Sequence, residues 1–206
     1  METAMNQTLT ILGLESSCDD TAAAVVRHTA GNRPEILASV VHGQSELHRD
    51  FGGVVPEIAS RAHVERIIPV IDQAIQKAGI RKTELRAVAV AIRPGLIGSL
   101  LIGLSAGKAI AGTLRIPLIG YDHLAAHLYA SRIAFGEELT YPAIGLVASG
   151  GHTSLFHLKN PIGERRPARH SLPYNLFTFW QVLGQSIHGL VFVLSHSQGS
   201  FLSGVA

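Results

Sequence analysis

An apolar run broken by acid limits this fold more than any other feature. Residues 9–14 are apolar, stop at Glu15-Ser16-Ser17-Cys18-Asp19-Asp20-Thr21, and resume over residues 22–26. Such a pattern predicts strand, acidic turn, strand. Residues 36–42 read as a third strand. The period then changes: residues 56–78 place apolar side chains at helical spacing and end at Gly79, a C-cap signal. Residues 87–92 form a short β-prone run turned by Pro94-Gly95, followed by a small-residue helix over 98–112 and a strand over 117–120. Asp122 is a suitable N-cap for a helix over 123–133. Residues 143–148 and 153–158 flank Ser149-Gly150-Gly151-His152 as strand, turn, strand. Hairpin strands followed by alternating helices and strands define an α/β domain with a mixed sheet and flanking helices.

With 206 residues, 47% of them hydrophobic, the chain can bury a core of one domain or one and a half. One cysteine, Cys18, excludes a disulfide framework and a cysteine-based zinc ribbon, and suits a reducing, cytoplasmic setting. Residues 1–10 lack the basic-then-apolar pattern of a secretory signal. The most apolar stretch, 95–120, contains Lys108 and Arg115, and is expected to be a buried helix and strand, with no role for a membrane. The net charge of +2 is uneven: residues 1–158 hold 13 Lys/Arg against 14 Asp/Glu, and residues 159–206 hold four against one. A basic excess confined to the tail is poor support for a nucleic-acid footprint, which needs a contiguous basic face.

Three places carry chemistry. Asp19 and Asp20 are adjacent carboxylates on a tight turn, suited to metal or phosphate handling and equally to a polar hairpin turn. Cys18 beside them has no evident base and reads as a small buried side chain rather than a nucleophile. His123 and His127 lie one helical turn apart, a separation that a single first-row metal bridges, although 11 histidines make incidental pairs common. Leu124 follows His123, so this is not the His-Glu-x-x-His helix of zinc proteases. The glycines of Ser149-Gly150-Gly151-His152-Thr153 let backbone amides approach an anionic or carbonyl ligand. Residues 103–108 do not form a phosphate loop, because the spacing is one short and Ala109 replaces the Ser/Thr.

The order of these segments is distinctive. Residues 11–21, the stretch His48-Arg49-Asp50-Phe51-Gly52-Gly53-Val54-Val55-Pro56-Glu57 with its continuation to His63, Pro94-Gly95-Leu96-Ile97-Gly98-Ser99-Leu100, the histidine pair and Ser149–Thr153 closely resemble the tRNA threonylcarbamoyladenosine biosynthesis transferase family. The resemblance covers about residues 10–158. It implies a ribonuclease-H-like lobe of the actin, sugar-kinase and Hsp70 superfamily, whose members bind nucleotide between two such lobes. It also implies threonylcarbamoyl transfer from an adenylate to N6 of the adenosine beside the tRNA anticodon. Carried over by position, His123 and His127 match the family's metal histidines, for iron or zinc, and Asp19 and Asp20 fall in its acidic active-site turn. Val147, Ala148, Ser149, Gly150 and Gly151 match its substrate loop, with His152 the adjoining active-site histidine. The expected partners are tRNA, threonylcarbamoyl-adenylate, a paralogous subunit and an ATPase subunit.

The chain also departs from the family. Arg93 stands where glycine is usual before Pro94. From Lys159 the family's acidic, glycine-containing segment and its second lobe, which supplies an aspartate as third metal ligand, are not visible. Residues 160–206 hold one acidic residue, Glu164, and prolines 161, 167 and 173. The expectation is therefore a lobe over residues 1–158 and a divergent tail over 159–206, poorly ordered, frameshifted or a genuine cap, on a chain inactive by itself. The alternatives are a non-catalytic partner subunit of the same fold, against which the histidine pair argues, and a metalloprotease, against which the missing glutamate argues.

Overall fold

The structure, a computed structural model, describes residues 8–30, 33–135, 140–148, 153–159, 165–167, 190–195 and 201–205. These divide into two compact units, residues 1–123 and 124–206, so the stretch expected as one lobe over 1–158 contributes to both.

The first unit is built on a sheet ordered β3-β2-β1-β4-β5. Strands β1 (Leu9–Glu15), β2 (Thr21–His28) and β3 (Glu35–His42) form the expected antiparallel meander, while β4 (Ala87–Arg93) and β5 (Leu118–Asp122) add in parallel. Parallel neighbours need crossovers. They are provided by α2 (Pro56–Lys77), which follows a short helix α1 (Ser45–His48), and by α3 (Ile97–Leu114). Alternation fixes which face of β1 and β2 is covered: Leu12, Leu14, Ala23 and Val25 are buried together with Ile67, Val70, Ile71 and Ala74 of α2. Gly79 caps α2 at φ 64°, the left-handed conformation its glycine accommodates.

By length and composition alone, α3 is apolar enough to cross a membrane. Here it packs on the sheet. Its buried face is Ser99, Gly103, Gly107 and Ala111, and the two glycines let the helix approach closely: a Cβ on Gly103 would collide with Ser16 Oγ, and one on Gly107 with Val90. The expected burial is thus confined to one face, and Ile97 and Leu101 are exposed.

The second unit holds most of α4 (His123–Phe135) and a sheet ordered β10-β9-β6-β7-β8, antiparallel throughout. β6 (Ala143–Ala148) and β7 (Thr153–Leu158) have the expected bounds. β8 (Arg165–Pro167), β9 (Leu190–Ser195) and β10 (Phe201–Val205) lie in the tail, where no element is expected from the sequence pattern. A small core of Leu128, Ala143, Val147, Phe156 and Leu158 holds α4 against β6 and β7. Gly145 is needed there, because a Cβ would overlap Leu128.

Candidate active-site turn and its histidine

The acidic turn between β1 and β2 is tied down from several sides. Ser16 Oγ donates to the carbonyl of Ser99 at 2.8 Å and accepts from Gly103 N–H at 3.2 Å, fastening the turn to α3. Leu96 N–H donates to Ser17 O at 2.8 Å. From α2, His63 is fully buried, with Nε2 at 3.0 Å from Cys18 O and Nδ1 at 2.7 Å from Thr21 Oγ1. A carbonyl only accepts, so Nε2 carries the proton and the Thr21 hydroxyl donates to Nδ1. This arrangement requires neutral imidazole. Burial lowers the His63 pKa, more than the Cys18 carbonyl and nearby acids raise it. Ser99 Oγ gives Cys18 O its second hydrogen bond at 3.2 Å.

The other side of the turn meets the start of α4. Glu15 Oε2 lies 3.0 Å from His123 Nδ1, and Ser17 Oγ is 3.1 Å from the same nitrogen. Ser17 N–H donates to Glu15 Oε1 at 2.6 Å. Burial works to raise the Glu15 pKa, but its hydrogen bonds and attraction to His123 outweigh this and leave it lowered. A carboxylate therefore accepts from Nδ1–H, and any metal-ligand role of His123 falls to Nε2. Tyr121 closes the site, its hydroxyl donating to Leu14 O at 2.9 Å with Glu15 Oε2 at 3.3 Å. Burial first, then the Glu15 charge, keeps that phenol protonated.

Asp19 and Asp20 are half-buried at the apex of the turn. Asp20 Oδ1 sits beside Gly43, where an added Cβ would be 3.1 Å away. Cys18 is exposed, so the expectation of a buried side chain is corrected. Its thiol is pushed up to about 12, by desolvation and then by Asp19, Asp20 and Glu15. A thiol held protonated is no nucleophile, which agrees with the reading that gave it no catalytic part.

His123 and His127 both lie on α4, one turn apart as expected. Among the described residues no group of three His, Cys, Asp or Glu side chains gathers around a metal-sized space. Val147 and Ala148 are the last residues of β6, and the Val147 side chain is buried. Ser149, Gly150, Gly151 and His152 lie outside the described residues. Asp122 ends β5 directly before α4, its carboxylate 3.7 Å from Arg93 Nε. The arginine that replaces the usual glycine thus has a partner within the site's border.

Glu15, Ser17, His63 and Tyr121 were not singled out as site residues in the sequence. Their signal is present only as membership in the long motifs: Glu15 opens the acidic turn and His63 ends the His48–His63 stretch. His48 itself is buried and structural. It accepts from Val55 N–H at 3.3 Å through Nδ1 and meets Gln44 Oε1 at 3.3 Å through Nε2, closing the glycine-rich loop onto the start of α2.

The family model for tRNA N6-adenosine threonylcarbamoyltransferase matches residues 35–171. Among curated relatives of that name, the protein of Ruegeria pomeroyi is 55% identical over 148 residues, 72% of this chain and 40% of the relative. That of Geobacillus kaustophilus is 50% identical over 170 residues, 80% of this chain and 48% of the relative. The chain thus spans less than half the length of these relatives. Of solved structures, YeaZ from Pseudomonas aeruginosa superposes with a TM-score of 0.52 at 19% identity, covering 80% of this chain and 71% of that one. That likeness concerns the fold, and it agrees with the expected ribonuclease-H-like mixed sheet.

Proposed function

The chain belongs to the tRNA N6-adenosine threonylcarbamoyltransferase family, and from that premise we propose that its acidic turn and α4 histidines form part of a centre for threonylcarbamoyl transfer to tRNA. The observation that carries this reading is the Glu15–His123 contact, 3.0 Å between residues 108 apart in sequence. It ties His123 to the turn whose sequence continues through Asp19 and Asp20.

In the reaction, N6 of the adenosine beside the anticodon attacks the carbamoyl carbon of threonylcarbamoyl-adenylate. A C–N bond forms, the bond from that carbon to the phosphate oxygen breaks, and AMP departs with the electron pair. Asp19 or Asp20 accepts the proton lost from N6. Glu15 fixes the ring of His123 and raises its basicity as a ligand. His63 holds the turn backbone so that the acids keep their positions. Ser149, Gly150, Gly151 and the backbone of Val147 and Ala148 contact the substrate, with His152 adjoining. His123 and His127 would hold iron or zinc, and such a metal would supply stabilisation of negative charge on the carbonyl or the adenylate. A third ligand would come from the part of the family's length that this chain does not span. The partners in this reading are tRNA, the adenylate, a paralogous subunit and an ATPase subunit, in a cytoplasmic setting. The family match runs on to residue 171, so the tail is read as divergent from the family only beyond that point.

Metal analysis of the purified chain tests the site. Near-stoichiometric iron or zinc, lost from the H123A/H127A variant, is the expected result. Equal metal in both proteins would remove the ligand assignment. Given adenylate, tRNA and partner proteins, the chain alone is expected not to modify tRNA, and robust turnover would show that the third ligand is dispensable.

A further inference from the structure

At the opposite end of β1 from the acidic turn, the first unit has an open cleft of about 490 Å³. It is lined by three guanidinium groups, Arg27 from β2 and Arg81 and Arg86 from the link between α2 and β4, together with threonine hydroxyls and one carboxylate, Glu84. We propose that this cleft binds the phosphate backbone of RNA, as a second contact for the tRNA of the transferase reading, on which the inference rests.

The charge distribution supports this. Residues 1–123 hold 12 Lys/Arg and 12 Asp/Glu, so the unit as a whole is neutral, yet the cleft carries three arginines against one glutamate, a local excess of two. The nearest lysine does not add to it: Lys82 Nζ is engaged by Asp72 at 2.8 Å. In a neutral unit, a locally positive cleft attracts a polyanion to itself rather than to the whole surface.

The lining selects the class of ligand. Among the described residues no aromatic or aliphatic side chain lines the cleft, so none of them stacks a base or buries a ring there. What it offers is guanidinium forks and hydroxyl donors, the groups that bind phosphate oxygens without reading sequence. The floor is fixed: Arg86 N–H donates to Thr10 O at 2.8 Å, and the Thr8 and Thr29 hydroxyls meet at 3.2 Å. The Arg81 head is solvated. Arg81 is 83% exposed and holds Glu84 through Nε at 3.3 Å and through its backbone N–H at 2.9 Å. These two bonds, with Arg27 contributing at longer range, keep Glu84 ionised. Its carboxylate occupies Nε of Arg81 as a phosphate oxygen would. The distance also fits one ligand. From Thr10 in the cleft to Glu15 in the turn is five residue steps along β1, about 17 Å at strand rise, so a single RNA reaches both ends.

The test measures binding of the full chain to two RNAs across a salt series: a tRNA anticodon stem-loop and an unrelated stem-loop of equal length. The R27A/R81A/R86A variant is expected to lower the slope of log K against log salt by about 2 for both RNAs, since each lost phosphate contact removes about 0.7–0.9. The single R81A variant, at a side chain too exposed to support folding, should lower it by about 1. E84Q should strengthen binding of both RNAs about threefold. Unchanged slopes in a chain that binds RNA would overturn the cleft and leave the transferase reading standing. Absence of RNA binding by the wild-type chain, or equal binding to anionic phospholipid vesicles, would also overturn it. The transferase reading fails separately, on metal content.

Discussion

The two ends of β1 are built on opposite plans. At its C-terminal end Glu15, Ser16 and Ser17 bond to partners on α3, β5 and α4, and His63 locks the following residues from α2. At its N-terminal end Arg81 and Arg86 are exposed and Arg27 half-buried around Thr10, with Glu84 beside them. Reacting groups need fixed positions, because a misplacement of about 1 Å costs rate heavily. Contacts to a flexible polyanion gain from mobile, solvated charge. The difference teaches that one strand can present a rigid site and an adaptable one.

Substitutions should cost stability at one end and very little at the other. The largest effect is expected for His63→Ala, which leaves the Thr21 hydroxyl and one bond of the Cys18 carbonyl unsatisfied beside a void: about 3 kcal/mol by urea denaturation. Gly103→Ala forces a methyl into Ser16 Oγ and should cost about 1–3 kcal/mol in the same assay. Glu15→Gln keeps the shape but removes a charge-assisted bond to His123, for about 1–2 kcal/mol. Arg81→Ala, at the far end, should stay within about 0.5 kcal/mol of wild type. A large loss at Arg81, or none at His63, would break the contrast.

Acid should also separate the groups. The His63 pKa lies below its usual 6.5 in the fold, so the unfolded chain binds its proton first. The stability tied to neutral His63 is fully present above about pH 6.5 and is lost as pH falls towards the folded value. For Glu15, lowered from 4.5, the loss begins only below about pH 4.5. Denaturation curves between pH 7 and 5 should therefore weaken for wild type and flatten for His63→Gln, while Glu15→Gln leaves that window unchanged.

Most of the first unit was legible because its signals are local. Apolar runs broken by an acidic turn marked β1 and β2, a further short run marked β3, and Gly79 and the helical period marked α2, each within a residue or two of the observed bounds. Spacing alone placed His123 and His127 on one helix. The links to Glu15, Tyr121 and His63 were not legible, since they depend on parallel crossovers that join residues 42 to 108 positions apart. Cys18 was misjudged because a small apolar side chain fits both a strand end and an exposed turn. β9 was missed although its Leu-Val-Phe-Val-Leu run is β-prone, because the serine- and histidine-rich sequence around it carries no periodicity.

The central claim is that Glu15 orients His123 for metal binding, and a chelator-competition titration with zinc tests it most directly. E15Q should bind zinc about 10- to 100-fold more weakly than wild type, the usual cost of losing such a supporting carboxylate. Equal zinc affinity in the two proteins would contradict the account.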